Sequence, residues 1–200
     1  MSSYSRQEDI LKFWFGRVEE TIIPSETRSR IWFGDDVEID GLIRDNYLDD
    51  LNNAIEGKYD DWRSTSRGQL ALIILFDQFP RHIYRDTPEA YVHDCRAVDI
   101  CLSGIDSGDD HHLSLIERVF YYFPLLHSED LALQNKSINA YQLLSDLAFA
   151  ETRVIFESFF KFANHHYSLI EKFGRFPQRN LALSRGMTPP EEVYMNEISE

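Results

Sequence analysis

Two phrases in this chain set arginine directly behind a Phe-Pro pair. They are Asp77-Gln78-Phe79-Pro80-Arg81-His82-Ile83-Tyr84-Arg85 and Gly174-Arg175-Phe176-Pro177-Gln178-Arg179-Asn180. Arginine offers a planar, permanently charged fork of donors that fits a carboxylate or a phosphate. Arg81, Arg85, Arg175 and Arg179 are therefore candidate anion ligands, with Asn180 adding a directional hydrogen bond. The chain as a whole carries a formal charge of -14, yet Lys172 to Arg185 holds four bases and no acid. A third phrase, Phe123-Pro124-Leu125-Leu126-His127-Ser128-Glu129-Asp130, brings an imidazole and two carboxylates. His127 is a candidate general acid/base, and Glu129 a candidate orienter of it or partner of an arginine. Gln134 interrupts the apolar stripe between Leu131 and Ile138. A buried amide needs partners, and a polar pocket would supply them.

Each phrase also has an architectural reading. Proline disfavours a helical residue before it, so Phe-Pro stops a helix and leaves the phenylalanine to plug the core. The arginines would then cap carbonyls or pair with Asp77, Glu129 or Asp130. Ser128 is a natural N-cap, with Glu129 and Asp130 in the first turn near the positive end of the helix dipole.

Other chemistries find no support. Cys95 and Cys101 lie six apart on one expected helix, about 240° around its axis, so they cannot bridge. Both read as reduced core thiols, which fits a cytoplasmic location. His165 and His166 point about 100° apart, and no His-x-x-x-His, Cys-x-x-Cys or calcium-loop spacing occurs, so no metal is expected. No phosphate-cradling glycine loop or Gly-x-Ser-x-Gly elbow is present, and no cofactor is implied. The acidic balance argues against nucleic acid and anionic membrane. The longest apolar run, Leu70 to Phe76, falls far short of the about 20 residues a bilayer needs. Ten acids stand against Arg44 and Lys58 between Asp35 and Asp61, which reads as a solvated helix face.

The elements that must position these residues are helices. Glycine and proline punctuate stretches of helical period, and no alternating strand pattern of useful length is found. Pro24-Ser25 opens a short helix through Ile31, Trp32 and Phe33. Ile39, Ile43, Tyr47, Leu51, Ala54 and Ile55 line one face of the next, which Gly57 stops. Leu70 to Phe76 is apolar nearly all round and should sit centrally. Two long helices, about 128–149 and 152–173, follow. The expectation is a single all-α domain over residues 1–200, a stack of antiparallel helix pairs of tetratricopeptide-like type with about eight or nine helices.

Taken in order, Ile10-Leu11-Lys12-Phe13-Trp14-Phe15-Gly16, Trp32-Phe33-Gly34, Leu70 to Arg85, His127-Ser128-Glu129-Asp130 with Gln134, and Gly174 to Asn180 resemble the family of domain of unknown function 924. The Asp-Gln-Phe-Pro-Arg and Gly-Arg-Phe-Pro phrases carry the resemblance, which spans nearly the whole chain. His82, Asp86 and Gln178 depart from it, where the family usually has Asn, Gly and His. The resemblance implies a tetratricopeptide-like, all-helical fold and brings no established reaction.

Three functions stay open on the residues alone. The first is a binding module, with Arg81, Arg85, Arg175 and Arg179 holding a small anionic molecule or acidic peptide, and His127, Gln134 and Asn180 directing it. The second is a hydrolase or lyase in which His127 moves protons and Glu129 orients it. The third is a structural or oligomeric scaffold whose polar motifs only lock helix breaks. The oligomeric state is open.

Overall fold

The computed structural model describes residues 3–16 and 26–198. Among them are nine helices joined by short turns and 3₁₀ segments, and no strand. They are α1 (Ser3–Phe15), α2 (Glu26–Phe33), α3 (Val37–Ile55), α4 (66–83), α5 (Asp94–Ser107), α6 (115–127), α7 (Leu131–Leu147), α8 (Arg153–Phe173) and α9 (Pro189–Glu197). The Pro24-Ser25 start signal lies outside the described residues. No helix among them is long and apolar enough to cross a membrane.

The central position of α4 follows from its sequence. Leu70 through Phe76 are all buried, because a helix that is apolar on every face must be surrounded. Trp14, Trp32, Phe120 and Phe123 form a ring cluster that Phe79 of α4 joins through Trp14; the Trp32–Phe120 centroids lie 4.7 Å apart and those of Trp14 and Phe120 5.6 Å. Such ring pairs add to the area they bury. Trp32 anchors α2 to α1 by donating its indole N–H to the Trp14 carbonyl at 3.0 Å.

The helix ends obey different residues than their nearest signals suggest. Thr65 rather than Ser66 caps α4, and Asp130 rather than Ser128 caps α7, accepting from the Ala132 and Leu133 amides. The expected core pair of thiols is also split: Cys101 is buried and Cys95 exposed, both free. α7 and α8 form an antiparallel hairpin. Tyr141 in mid-α7 stacks on Phe159 early in α8, while His127, just before α7, faces His166 further along α8. On α8, Phe156, Phe159, Ala163, His166 and Ile170 are buried, one face at helical spacing.

A proline inside a helix costs a hydrogen bond and clashes with the carbonyl four residues back. The expectation that Phe79-Pro80 stops its helix is overturned. α4 passes Pro80 by widening into a π turn at Ile74–Gln78, so the Phe79 amide bonds to the Ile74 carbonyl, and it then runs on to Ile83. At Phe123-Pro124 the first stretch of α6 does stop before the proline: it ends at Tyr121 with Tyr122 as C-cap, and a second short stretch runs from Phe123 to His127. At Phe176-Pro177 α8 has already ended at left-handed Gly174, and a 3₁₀ turn, Pro177–Arg179, follows.

α5 packs closely against α4 and α6 at Gly104. A Cβ placed on Gly104 of α5 would sit 1.7 Å from the Tyr121 hydroxyl, on a ring that is wholly buried. Gly41, in mid-α3, has nothing within 4 Å. We expect Gly104→Ala to lower unfolding stability by roughly 1–3 kcal/mol through overpacking. Gly41→Ala should raise it by up to about 1 kcal/mol through helix propensity. Urea denaturation of the two variants checks both signs.

Candidate functional site

The π turn of α4 sets the candidate site. It inserts one polar side chain, Asp77, into a wall of aliphatic and aromatic neighbours, where it is 0% exposed. A bare carboxylate there would be costly. Asp77 is instead approached from three sides. His127 Nδ1 lies 2.8 and 2.9 Å from its two oxygens, the Arg81 guanidinium lies 3.2 Å away, and the Gln78 amide donates to it. Burial pushes the Asp77 carboxyl up, and Arg81 and His127 more than reverse this, leaving it below the usual carboxylate range.

The two Phe-Pro-Arg phrases do converge, through α5. Arg81 grips Asp94 with both ends of its fork, at 2.9 Å each, and also donates to the Asp77 carbonyl. Arg179 approaches the same Asp94, but only to 3.7 Å. It donates a hydrogen bond from Nη2 to the His127 carbonyl at 2.9 Å. Its guanidinium carbon lies 4.8 Å from the Tyr91 ring centre and 4.5 Å from that of Phe176, a cation–π setting. Burial, then repulsion from Arg81, push the Arg179 guanidinium down to about 10. Arg179 is thus a buried cation without a close carboxylate. Arg6, Arg67, Arg81, Arg85, Arg175 and Arg185 each meet one within 2.9 Å.

His127 is held neutral. Burial and Arg81 lower its pKa below the ordinary value, and Asp77 offsets this only in part. Because ionised Asp77 only accepts, the proton sits on Nδ1 and Nε2 presents a lone pair. Among the described residues Nε2 has no protein partner, and the imidazole of His166 lies 6.5 Å away between ring centres. His166, buried, donates from Nδ1 to the Phe162 carbonyl of its own helix, and burial followed by His127 push it down to about 3.

An open cleft of about 560 Å³ lies against these groups. Arg179, His127, Asp94, Glu129, Ser128 and Cys95 supply its polar side. Tyr91, Val92, Val98, Leu133 and Leu183 supply the apolar one.

Of the residues singled out from sequence, Arg81, Arg179, His127 and Glu129 come together here. Glu129 does not orient His127: it pairs with Arg185 at 2.8 and 3.0 Å and accepts from the Phe176 amide, while Asp77 takes the orienting place. Arg85 lies away from the cleft, between Asp40 and Asp35 on the α3 side, and Arg175 is clamped to Glu191. Gln134 is a capping residue. Its amide donates to the Leu126 and Ser128 carbonyls at 2.6 and 2.7 Å, ending α6. Asn180 is buried and accepts from Arg185 at 2.9 Å. Sequence reasoning left out Tyr91, Asp94 and Arg185. Asp77 had a legible signal, a lone acid inside the apolar run of α4 spaced four residues from Arg81.

The family described as "Bacterial protein of unknown function (DUF924)" matches residues 10–199. The chain belongs to this family. A solved structure of a protein of unknown function from Agrobacterium tumefaciens is similar to it at 31% identity, covering 98% of this chain and 99% of the other, with a TM-score of 0.82. No curated protein matches the chain. Within this family member, α4 brings Asp77 and Arg81 to the back of the cleft, the end of α6 brings His127, and the turn after α8 brings Arg179.

The buried imidazoles make stability depend on pH. His166 is neutral in the fold down to about 3 but gains a proton near 6.5 when unfolded. The unfolded chain therefore binds more protons below pH 6.5, and stability falls as pH falls. Between pH 7 and 5 we expect His166 alone to account for a loss of about 2 kcal/mol. His166→Phe should flatten that slope in urea titrations at the two pH values.

Proposed function

We propose that the cleft between α5, the α6–α7 junction and the turn after α8 binds a small carboxylate-bearing molecule. Arg179 is the anion-binding residue. The observation that carries this reading is its unspent fork. It is buried and charged, it has one hydrogen bond to a backbone carbonyl, and it stands 3.7 Å from its nearest acid. A guanidinium so placed gains from any carboxylate that reaches it, because low-dielectric surroundings strengthen the pairing and only the loose 3.7 Å approach to Asp94 competes. Tyr91 and Phe176 hold its plane, so little freedom is lost on binding. The volume of the cleft is in the range of small-ligand sites. Arg81, Arg85 and Arg175 serve internal pairs in this reading and do not contact the ligand.

A second reading, a hydrolase or lyase acting on the same anions, is favoured by the Asp77–His127 pair. An unprotonated Nε2 backed by a buried carboxylate is the arrangement of a general base.

Cys95 provides the test, since it lines the cleft and is exposed while Cys101 is buried. Millimolar 4-methylpentanoate should slow alkylation of Cys95 by iodoacetamide severalfold, and the neutral 4-methylpentanamide should not. Arg179→Lys, which keeps charge but loses the fork, should weaken the protection about tenfold. Equal protection by acid and amide would sink the role of Arg179.

A further inference from the structure

The reading above leaves unexplained why the guanidinium and the imidazole are built as one unit. Arg179 donates to the backbone carbonyl of His127, the same residue whose side chain is locked by Asp77. Backbone and ring of one residue thus fix the distance between a strong donor and a strong acceptor at the edge of a single cleft. With Nδ1 committed to Asp77, Nε2 of His127 can only accept. A ligand whose carboxylate lies on Arg179 therefore completes the site when it carries a hydrogen-bond donor close to that carboxylate.

The charges around the cleft decide what kind of donor. Asp94 is spent on Arg81 in a two-point pair, and Glu129 on Arg185 and the Phe176 amide. No carboxylate in the cleft is left to neutralise an ammonium, and Arg81 and Arg179 would repel it. The donor is therefore neutral. The remaining wall, Val92, Val98, Leu133 and Leu183, is aliphatic and calls for an apolar side chain on the same ligand. The cleft is open and about 560 Å³, so it has room for a chain that continues beyond the donor, which a short hydroxy acid would leave unused.

We propose that the cleft recognises an N-acylated amino acid with an aliphatic side chain, its carboxylate on Arg179, its amide N–H donated to His127 Nε2, and its side chain on the Val92–Val98–Leu133–Leu183 wall. This rests on the assignment of Arg179 as anion-binding residue. The chemistry is shared by a free N-acyl amino acid and by the C-terminal residue of a peptide. An acceptor that the bound ligand covers is what makes such a site selective, since a ligand lacking the donor would take Nε2 out of water without a partner.

Titration calorimetry of the full chain at pH 7.5 tests it with four ligands that share the leucine skeleton. N-acetyl-leucine should bind about tenfold tighter than 4-methylpentanoate, N-acetyl-N-methylleucine and free leucine, the difference one well-placed hydrogen bond makes. In His127→Phe, which keeps a ring in place of the imidazole, N-acetyl-leucine should bind no tighter than 4-methylpentanoate does to the same variant. Should that variant fail to fold, the four-ligand series on the unaltered chain still decides. Equal affinity for all four acids would overturn the N-acyl proposal and leave the carboxylate reading standing. Tighter binding of leucine, or of 2-hydroxy-4-methylpentanoate, would overturn it as well. Loss of all binding would remove the carboxylate reading with it. Ala-Ala-Leu separates the two sources: tighter binding than N-acetyl-leucine assigns the site to peptide C-termini, and equal binding to the free N-acyl acid.

Discussion

One buried carboxylate organises the centre of this molecule. Asp77 has no access to solvent, and a charge in that position persists only because Gln78 and Arg81 of its own helix and His127 from the end of α6 meet it. Removing one partner from such a group typically costs about 3–5 kcal/mol, since an uncompensated charge is left behind. The fold is therefore tied at this point: α4 to the end of α6 through His127, and α4 to α5 through Arg81 and Asp94. The π turn makes the arrangement reachable. It lets α4 pass Pro80 without breaking, and Arg81, one turn on, reaches back to the Asp77 carbonyl. π turns recur at functional sites because they cost stability and are kept where they aim a side chain.

The arginines of the chain divide by how fully they are paired. Arg85 with Asp40 and Asp35, and Arg175 with Glu191, fasten elements to each other. Arg81 does the same while also holding Asp77 ionised. Arg179 stands apart because its hydrogen bond goes to a carbonyl and its charge is met by aromatic faces rather than by a tight carboxylate pair. Aromatic faces orient a guanidinium without spending its donors. That difference between a closed ion pair and an open one separates the architectural from the functional reading of two phrases that look alike in sequence.

Local chemistry made much of this legible. Helical period, the all-round apolarity of Leu70 to Phe76 and the glycine stops place the helices. The recurrence of Phe-Pro followed by arginine picks out Arg81 and Arg179, and the phrase beginning at Phe123 picks out His127, which do lie together. What failed were inferences that treat a residue apart from its surroundings. Proline at 80 reads as a terminator, because propensity cannot see that a π turn will carry the helix past it. Glu129 was assigned to His127 because it is two residues away, although a helix start turns it toward Arg185. Gln134 was assigned to a pocket, although its amide is consumed by carbonyls at the end of α6.

The sequence by itself determined that the chain is helical, where its strongest apolar segment must lie, and that cations gather around two helix breaks. These are consequences of spacing and composition, which act over a few residues. Only the tertiary structure decided which acid each cation meets. Asp94 lies 13 residues from Arg81 and Asp77 lies 50 from His127, and no local rule selects partners at that separation. Packing of α4, α5 and α6 against one another brings Asp77, Asp94 and His127 within bonding distance and leaves Arg179 at the rim with its fork unfilled. Pairing at such range is set by which helix faces are buried together, and that is a property of the whole fold.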